Sequence, residues 1–451
     1  MKKRIVIIGG VAGGTTAATQ ARRNDPEVEI IIYDKDKDVS YSGCSLPYYI
    51  GKVVNKRESV VPREGKYFKD KFNVDVKVLH EVLSIDSKNK KVRVKNLVSG
   101  EEFEDFYTTL IIATGASPFV PNKEWINKEN VFVLRNVESA DSIKKYIEEN
   151  NPKKALIIGT GFIGMELCEN LMEIGIETTA VELKDQIMPP LDKEMADRIE
   201  EYIKEKGVIV YTEEEVKELR GEKRVTEVIT NKRNLETDMV ILSIGIKPNT
   251  DLAVEAGVKL GKTKAIRVNE KMKTNVEDIY SAGDCAEIYS LIHEDYVYRP
   301  LGTTANKMGR VAGKNATGED VSFEGILSTG IFKIFDKTVA FLGMSEKEAR
   351  GLKKEVEIYN IKTYNKPPFM KGASIMYIKI VVEKLSERIL GIQIIGGEGV
   401  DKAIDTYAAA ITFGAKKGDL ATIDLSYSPP YSTVNTPVVQ SGIIMEGSLD
   451  K

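Results

Sequence analysis

The feature that most narrows the fold is a pattern written twice, at Gly9 and again at Gly159. Arg4–Ile8 reads as a strand, Gly9-Gly-Val-Ala-Gly-Gly14 as a glycine turn, Thr15–Arg23 as a helix, and Glu29–Tyr33 as a second strand ending at Asp34. Ala155–Ile158, Gly159-Thr-Gly-Phe-Ile-Gly164, Met165–Ile174 and Glu177–Val181, ending at Glu182, repeat it. Each is a βαβ unit whose turn lets backbone N–H groups approach a pyrophosphate at a helix N-terminus, with a carboxylate placed for ribose hydroxyls. The second turn has every glycine of G-x-G-x-x-G; in the first, Val11 stands at the middle one. Glu182 favours NADH because a carboxylate repels a 2′-phosphate, and the nearby Lys184 leaves NADPH open. The expected fold is α/β, with two Rossmann-like nucleotide domains in series.

At 451 residues, 42% hydrophobic and 29% charged, the chain has apolar material for several cores. Lys plus Arg (65) nearly balance Asp plus Glu (68), so a net charge of −3 leaves no electrostatic footprint for nucleic acid. No apolar run is long enough to cross a bilayer. The basic start Met1–Arg4 leads into the short run Ile5–Ile8 rather than a secretory segment, and Glu446–Lys451 carries no lipid or sorting motif; the expected location is the cytoplasm. After about residue 326, the runs Ile331–Phe335, Val339–Leu342, Ser374–Val382 and Ile389–Ile395 precede a helix near Val400–Phe413, a separate α+β domain.

Three cysteines, far apart, and two histidines give no CxxC or CxxxxC pair, no disulfide scaffold and no metal site of the multi-Cys/His kind. Cys168 reads as helix packing and Cys285 as structural. Cys44 differs: it lies in Ser40-Tyr-Ser-Gly-Cys-Ser-Leu-Pro-Tyr-Tyr49, ten residues beyond Asp34, and Pro47 suggests a helix beginning at the cysteine.

Two more apolar strands open into small residues, Thr109-Leu-Ile-Ile-Ala-Thr-Gly115 and Asp278-Ile-Tyr-Ser-Ala-Gly-Asp-Cys285. With these, and with Pro300-Leu-Gly-Thr-Thr-Ala-Asn306, the chain resembles the FAD-dependent pyridine nucleotide–disulfide oxidoreductases over essentially its whole length. The resemblance implies FAD and NADH as cofactors and places Asp284 on the FAD ribitol. It implies further cofactor contacts from Gly9, Ala12, Gly13, Asp34, Lys35, Ala113, Thr114, Gly115, Arg135, Gly159, Gly161, Phe162, Ile163, Gly164, Glu182, Gly245, Gly302 and Thr303. The implied layout is an FAD domain (1–118 and 246–325) interrupted by an NAD(P)H domain (119–245), followed by a C-terminal α+β dimerisation domain (326–451) in a homodimer. A helix N-terminus and an adjacent flavin would both stabilise a Cys44 thiolate.

A lone redox cysteine cannot rest electrons in an internal dithiol pair, so Cys44 is expected to form a mixed disulfide, a persulfide or a sulfenic acid. Ser40-x-x-x-Cys44-x-Leu-Pro-Tyr resembles the coenzyme A-disulfide reductases and their NADH oxidase and persulfide/polysulfide reductase relatives. In that branch Tyr427, in Leu425-Ser-Tyr-Ser-Pro-Pro-Tyr431, matches a tyrosine that reaches across the dimer and protonates a leaving thiolate. Gln20, Arg23, Ser40 and Asn306 match acceptor contacts. The sequence departs from the branch at Gly43, commonly Asn, and at Phe369 and Met370, where a second tyrosine is expected and a proton donor is lost. Ala12 stands where peroxidases and water-forming oxidases carry a histidine. The expected activity passes electrons from NADH through flavin and Cys44 to a small disulfide, persulfide or polysulfide, coenzyme A compounds among them. NADH oxidase activity on oxygen, or electron donation to a small redox protein, is the alternative.

Overall fold

Short β-branched runs, apolar on both faces, build two parallel sheets of one design in the computed structural model, which describes residues 3–447. Met1 and Lys2 of the basic start and Ser448–Lys451 of the C-terminal tail lie outside the described residues. In the first sheet the strand order is Ile279–Ser281, Thr109–Ile112, Arg4–Ile8, Glu29–Tyr33, Asp75–Lys77, all parallel. In the second it is Val131–Val133, Met239–Leu242, Lys154–Ile158, Glu177–Val181, Ile209–Tyr211. The registers correspond: Ile8 pairs with Tyr33 and Ile112, and Ile158 with Val181 and Leu242.

The duplication extends beyond the βαβ units. Each sheet sends out a three-stranded antiparallel meander before its next central strand: His80–Asp86, Lys91–Asn96 and Glu102–Phe106 in one, Val216–Arg220, Glu227–Thr230 and Asn234–Glu236 in the other. The chain leaves the first sheet and returns to it through one antiparallel ribbon, Ala116–Pro118 against Ile246–Pro248. Thr114 and Asn249 brace it with two hydrogen bonds, 2.7 and 2.8 Å.

The first turn helix, Ala12–Asn24, packs on Gly302–Ala316 at backbone contact. A Cβ on Gly309 would fall 2.3 Å from the Gly13 carbonyl oxygen, so only glycine lets the two helices approach this closely. The C-terminal unit is a five-stranded antiparallel sheet, ordered Gly330–Ile334, Lys337–Gly343, Ile389–Gly396, Ile375–Glu383, Val356–Tyr364, with Val400–Thr412 against it. The strand Val356–Tyr364 and the helix Pro437–Met445 complete the unit; neither is legible as a periodic apolar run. No helix among the described residues is long and apolar enough to cross a membrane.

One packing relation positions the cysteine. The short helix Leu46–Ile50 follows the first nucleotide unit in sequence, yet Leu46, Tyr49 and Ile50 belong to the core of the second, with Ile143, Met165 and Leu171. Phe332 and Ile334 of the C-terminal sheet join the same core. Burying Leu46 and Ile50 to about 1% exposure contributes roughly 2 kcal/mol each. The segment carrying Cys44 is thus anchored at the junction of three units.

Candidate active site

The two glycine turns have parallel internal bracing. Asp34, at the end of its strand, accepts the Gly10 N–H at 2.6 Å and the Asp36 N–H at 2.9 Å. Glu182 accepts the Thr160 N–H at 3.0 Å, the Thr160 hydroxyl at 2.7 Å and the Lys184 N–H at 3.0 Å. Both carboxylates are buried and aim at the turn beside them. Burial raises the Asp34 carboxyl to about 6, although the backbone donors of Asp36 and Gly10 pull it down.

In the second turn Gly159 has φ +96°, and Gly164 lies against the Gly159 carbonyl. Gly161 has nothing within 4 Å of where a Cβ would be, and φ −71°. Its backbone faces open space at a helix start, which suits close approach of a phosphate. Val11, at the equivalent place, has φ −101°, so a side chain there costs no backbone strain. Phe162 and Ile163 open the second turn helix, Phe162–Glu173; Phe162 stacks on Phe341 of the C-terminal sheet at 5.3 Å.

A second cluster lies across the first sheet's edge. Arg135 pairs with Asp284 at 3.0 Å and lies against Gly115, at the end of the Ala113-Thr114-Gly115 segment. The Tyr298 hydroxyl donates to the Asp284 carbonyl at 2.9 Å. Gly302 and Thr303 are exposed at the start of their helix, and Gly245, φ +105°, has open space around it. Lys35 is exposed beside Asp34, while Ala12 and Gly13 open the first turn helix.

Cys44 occupies a 3₁₀ turn, Gly43–Ser45, that runs directly into Leu46–Ile50 with Pro47 in its first turn. Ser40 bonds the Gly10 carbonyl through its N–H at 2.8 Å, tying the segment to the first turn. Cys44 is exposed; Cys168 and Cys285 are buried. The protein groups around Cys44 by themselves work against a thiolate. Desolvation by surrounding atoms, then Glu166, then Asp284 raise the Cys44 thiol, and Arg135 offsets this only in part. A five-residue helix supplies too short a dipole to reverse the balance.

Glu166 and Tyr48, not singled out from sequence, adjoin this site. Tyr48 donates to Glu166 Oε1 across 3.5 Å, and burial lifts Glu166 to about 7. Only the spacing of Glu166, two residues past Gly164, hints at a position near the turn.

The candidate acceptor residues divide. Asn306 donates to the Thr16 hydroxyl at 3.0 Å, and Gln20 and Arg23 lie further along the same helix. Arg23 covers Phe72, Arg63 covers Tyr67, and Lys71 contacts both rings. These cations are exposed and have no acidic partner among the described residues. Tyr427 is not brought to its own Cys44. It lies half-exposed in a loop of the C-terminal unit, its hydroxyl free of hydrogen bonds among the described residues, near in sequence to exposed Tyr431 and Val434.

The two open helix starts, each facing a buried carboxylate at a strand end, fit two dinucleotides. Residues 3–300 match the family described as pyridine nucleotide-disulphide oxidoreductase, and residues 330–437 its dimerisation domain. The "NADH oxidase" of Methanocaldococcus jannaschii is 34% identical over 96% of this chain and 97% of its own. The "NAD(P)H sulfur oxidoreductase (CoA-dependent)" of Pyrococcus furiosus is 35% identical over 97% and 98%. A solved NAD-dependent persulfide reductase from A. fulgidus superposes with a TM-score of 0.95 at 37% identity, covering 99% of this chain and 83% of that one. The chain belongs to the pyridine nucleotide-disulphide oxidoreductases, NAD(P)H-dependent FAD flavoproteins with a C-terminal dimerisation domain.

Proposed function

We propose that the protein carries electrons from NADH, through FAD and Cys44, to a small disulfide, persulfide or polysulfide, with a coenzyme A compound as the acceptor. The observation that carries this reading is the exposed Cys44 thiol among Arg135, Asp284 and the first glycine turn, while the other two cysteines are sealed in cores. The unpaired cations over Tyr67 and Phe72, Arg23 from the helix that starts at that turn and Arg63 and Lys71 from the segment around the helix Gly65–Phe72, support an acceptor with phosphates and an aromatic base. The relatives' names point the same way, one to CoA-dependent sulfur reduction and one to persulfide reduction.

In this reading the FAD contacts come from the first turn with Asp34 and Lys35, from Ala113–Gly115, and from Arg135, Asp284, Gly302 and Thr303. The Gly159–Gly164 turn, Glu182 and Gly245 hold NADH. Segments 1–118 and 246–325 form the FAD domain, 119–245 the NAD(P)H domain and 326–451 the dimerisation domain. FAD, when bound, supplies the route by which a hydride's two electrons reach the Cys44 sulfur. The Cys44 thiolate attacks R–S–S–R, an S–S bond forms between Cys44 and one R–S group, and the other leaves as R–S⁻. Tyr427 of a partner subunit protonates that thiolate. Gln20, Arg23, Ser40 and Asn306 orient the acceptor.

Tyr427→Phe is expected to lower acceptor-dependent NADH oxidation about a hundredfold and to leave NADH-driven bleaching of the yellow protein unchanged in stopped flow. The same reading requires a dimer; a monomer at assay concentration in light scattering contradicts it. A pH effect also follows. Ribose hydroxyls donate to Asp34, so bound FAD favours the ionised carboxylate, which protonation removes as pH falls through about 6. FAD affinity is expected to fall below that pH by up to about tenfold per unit, read by release of flavin fluorescence, with Asp34→Asn giving a weak, flat profile.

Oxygen reduction is the second reading, favoured by the name of the Methanocaldococcus jannaschii relative. Hydrogen peroxide or water formation that survives Cys44→Ser would select it.

A further inference from the structure

The loop that follows Glu182 ends, at Asp192, in a buried polar cluster that the electron path described above leaves without a role. Thr160, in the second glycine turn, gives its N–H and hydroxyl to Glu182 and takes the Met188 N–H on its carbonyl at 3.2 Å. The loop is therefore stitched to the turn at its start and at its middle. Ile187, Met188 and Leu191 are buried, the Gln186 amide donates to the Leu191 carbonyl at 2.8 Å, and Pro189 and Pro190 restrict the backbone between them. Met188 has φ +47°, a left-handed conformation that a non-glycine residue keeps where its surroundings hold it.

Asp192 stands at the start of the helix Lys193–Glu205, where an aspartate side chain ordinarily caps its own helix. Here it makes no such bond. Its carboxylate turns instead to the C-terminal unit. Oδ2 accepts the Glu346 N–H at 2.9 Å and the Gln393 side-chain amide at 2.8 Å, and Oδ1 accepts the Lys347 N–H at 3.2 Å. The Lys379 ammonium lies 3.1 Å from Oδ2 and also pairs with Glu194 and Glu346. Gln393 closes the cluster by taking the Asp192 N–H on its Oε1 at 2.9 Å. Asp192, Gln393 and Lys379 are all buried. A carboxylate is buried at tolerable cost only where several donors meet it, and each of these donors belongs to the C-terminal unit.

We propose that Asp192 is a positioning residue for NADH. By anchoring the far end of the Glu182–Asp192 loop to the C-terminal unit, it holds the Gly159–Gly164 backbone in the form that receives the dinucleotide. It acts through Met188 and Thr160 and touches no reacting atom. A loop freed at this end has to be ordered when the dinucleotide binds, and that ordering is subtracted from the affinity. Once the dinucleotide is bound the turn is the same, so hydride transfer from the bound state keeps its rate. This inference rests on the second turn holding NADH.

The test reads binding in FAD-loaded protein and needs no acceptor turnover. Calorimetric titration with NAD⁺ gives a Kd, anaerobic stopped-flow bleaching by NADH gives an apparent Kd and a limiting rate, and amide hydrogen exchange in the dinucleotide-free protein reports on the loop. Asp192→Asn sets an amide nitrogen against N–H donors whichever way it turns. Gln393→Met removes the partner from a strand 201 residues away in sequence. Each is expected to weaken NAD⁺ and NADH binding about tenfold, to leave the limiting bleaching rate unchanged, and to speed exchange across residues 184–191. The double variant is expected to bind no more weakly than the weaker single one, since both changes break one anchor. Tyr202→Phe is the control: its hydroxyl meets Asp336 at 3.2 Å and joins the same two units at the other end of the helix. It is expected to change neither Kd nor loop exchange. Unchanged Kd values in both folded, FAD-loaded variants would overturn the proposal. So would an equal weakening in Tyr202→Phe, or a lower limiting rate at unchanged Kd. If Asp192→Asn does not fold, Gln393→Met decides alone. Failure of the reading that the second turn holds NADH shows separately, as NADH affinity that survives Gly159→Ala.

Discussion

Replacing Cys44 with serine is expected to cut disulfide- or polysulfide-dependent NADH oxidation by roughly three orders of magnitude or more, while NADH still bleaches the bound flavin at its normal rate. The two halves separate because they use different parts of the chain. Hydride delivery needs the Gly159–Gly164 turn and Glu182, whose hydrogen bonds do not involve Cys44. Acceptor reduction needs a sulfur that can form and break an S–S bond, and a hydroxyl cannot replace it. The substitution carries no packing cost to confuse the result, since Cys44 is exposed and sits in a 3₁₀ turn that keeps its backbone bonds. Its effect on stability is expected to stay within about 0.5 kcal/mol. Cys168 and Cys285 cannot stand in, because both are sealed in cores. A variant that keeps its acceptor rate to within tenfold of wild type would remove Cys44 from the path.

Gly159→Ala is expected to weaken NADH binding about a hundredfold while FAD content stays near one per chain. The glycine has φ +96°, and an added Cβ would lie 2.4 Å from the Ser243 carbonyl oxygen. A non-glycine residue in that region costs about 1–2 kcal/mol, and the clash adds about 1–3 kcal/mol of overpacking. Relief comes from turning the peptide, which swings the amides at Thr160 and Gly161 away from the phosphate and loosens the Glu182 brace. About 3 kcal/mol of lost fit corresponds to roughly a hundredfold in Kd. The damage stays in the second sheet, whose strands pair only with each other. Dithionite should therefore reduce the variant as readily as the parent, and acceptor reduction should recover when dithionite replaces NADH. Loss of FAD together with NADH binding would mean that the two turns are not independent.

The parts of this molecule legible in sequence are those set by local chemistry. Ile5–Ile8 and Leu156–Ile158 announce buried parallel strands, and each glycine turn with its acid at the next strand end announces a nucleotide unit. Exposed Cys44 among Ser, Gly and Tyr was distinguishable from Cys168 on a packed helix face. The meanders were not legible as a second duplication because strands such as Glu102–Phe106 and Val216–Arg220 are mostly charged and half-solvated. Val356–Tyr364 is an edge strand with Glu, Asn and Lys at its outward positions, which dilutes the apolar alternation.

The site shows the same division. Arg135 and Asp284 are 149 residues apart, and Tyr48 and Glu166 are 118 apart, so their encounters depend on how the sheets are joined. Glu166 titrates near neutrality because of burial between two helices, which no spacing within its own helix encodes. The protein groups that oppose a charge on Cys44 were hidden in sequence for a related reason. The neighbouring carboxyls that oppose it come from other units of the fold.

The central claim is that Cys44 is the station between the flavin and a small sulfur acceptor. It is tested most directly by anaerobic titration of the purified yellow protein with NADH, combined with thiol counting and mass spectrometry of the Cys44 peptide. The account predicts a thiol adduct, of coenzyme A mass, on Cys44 before titration, its release after the first two electron equivalents, and a second NADH consumed before the yellow colour is lost. An unmodified Cys44, with bleaching complete after one NADH and rapid return of colour in air, would contradict it.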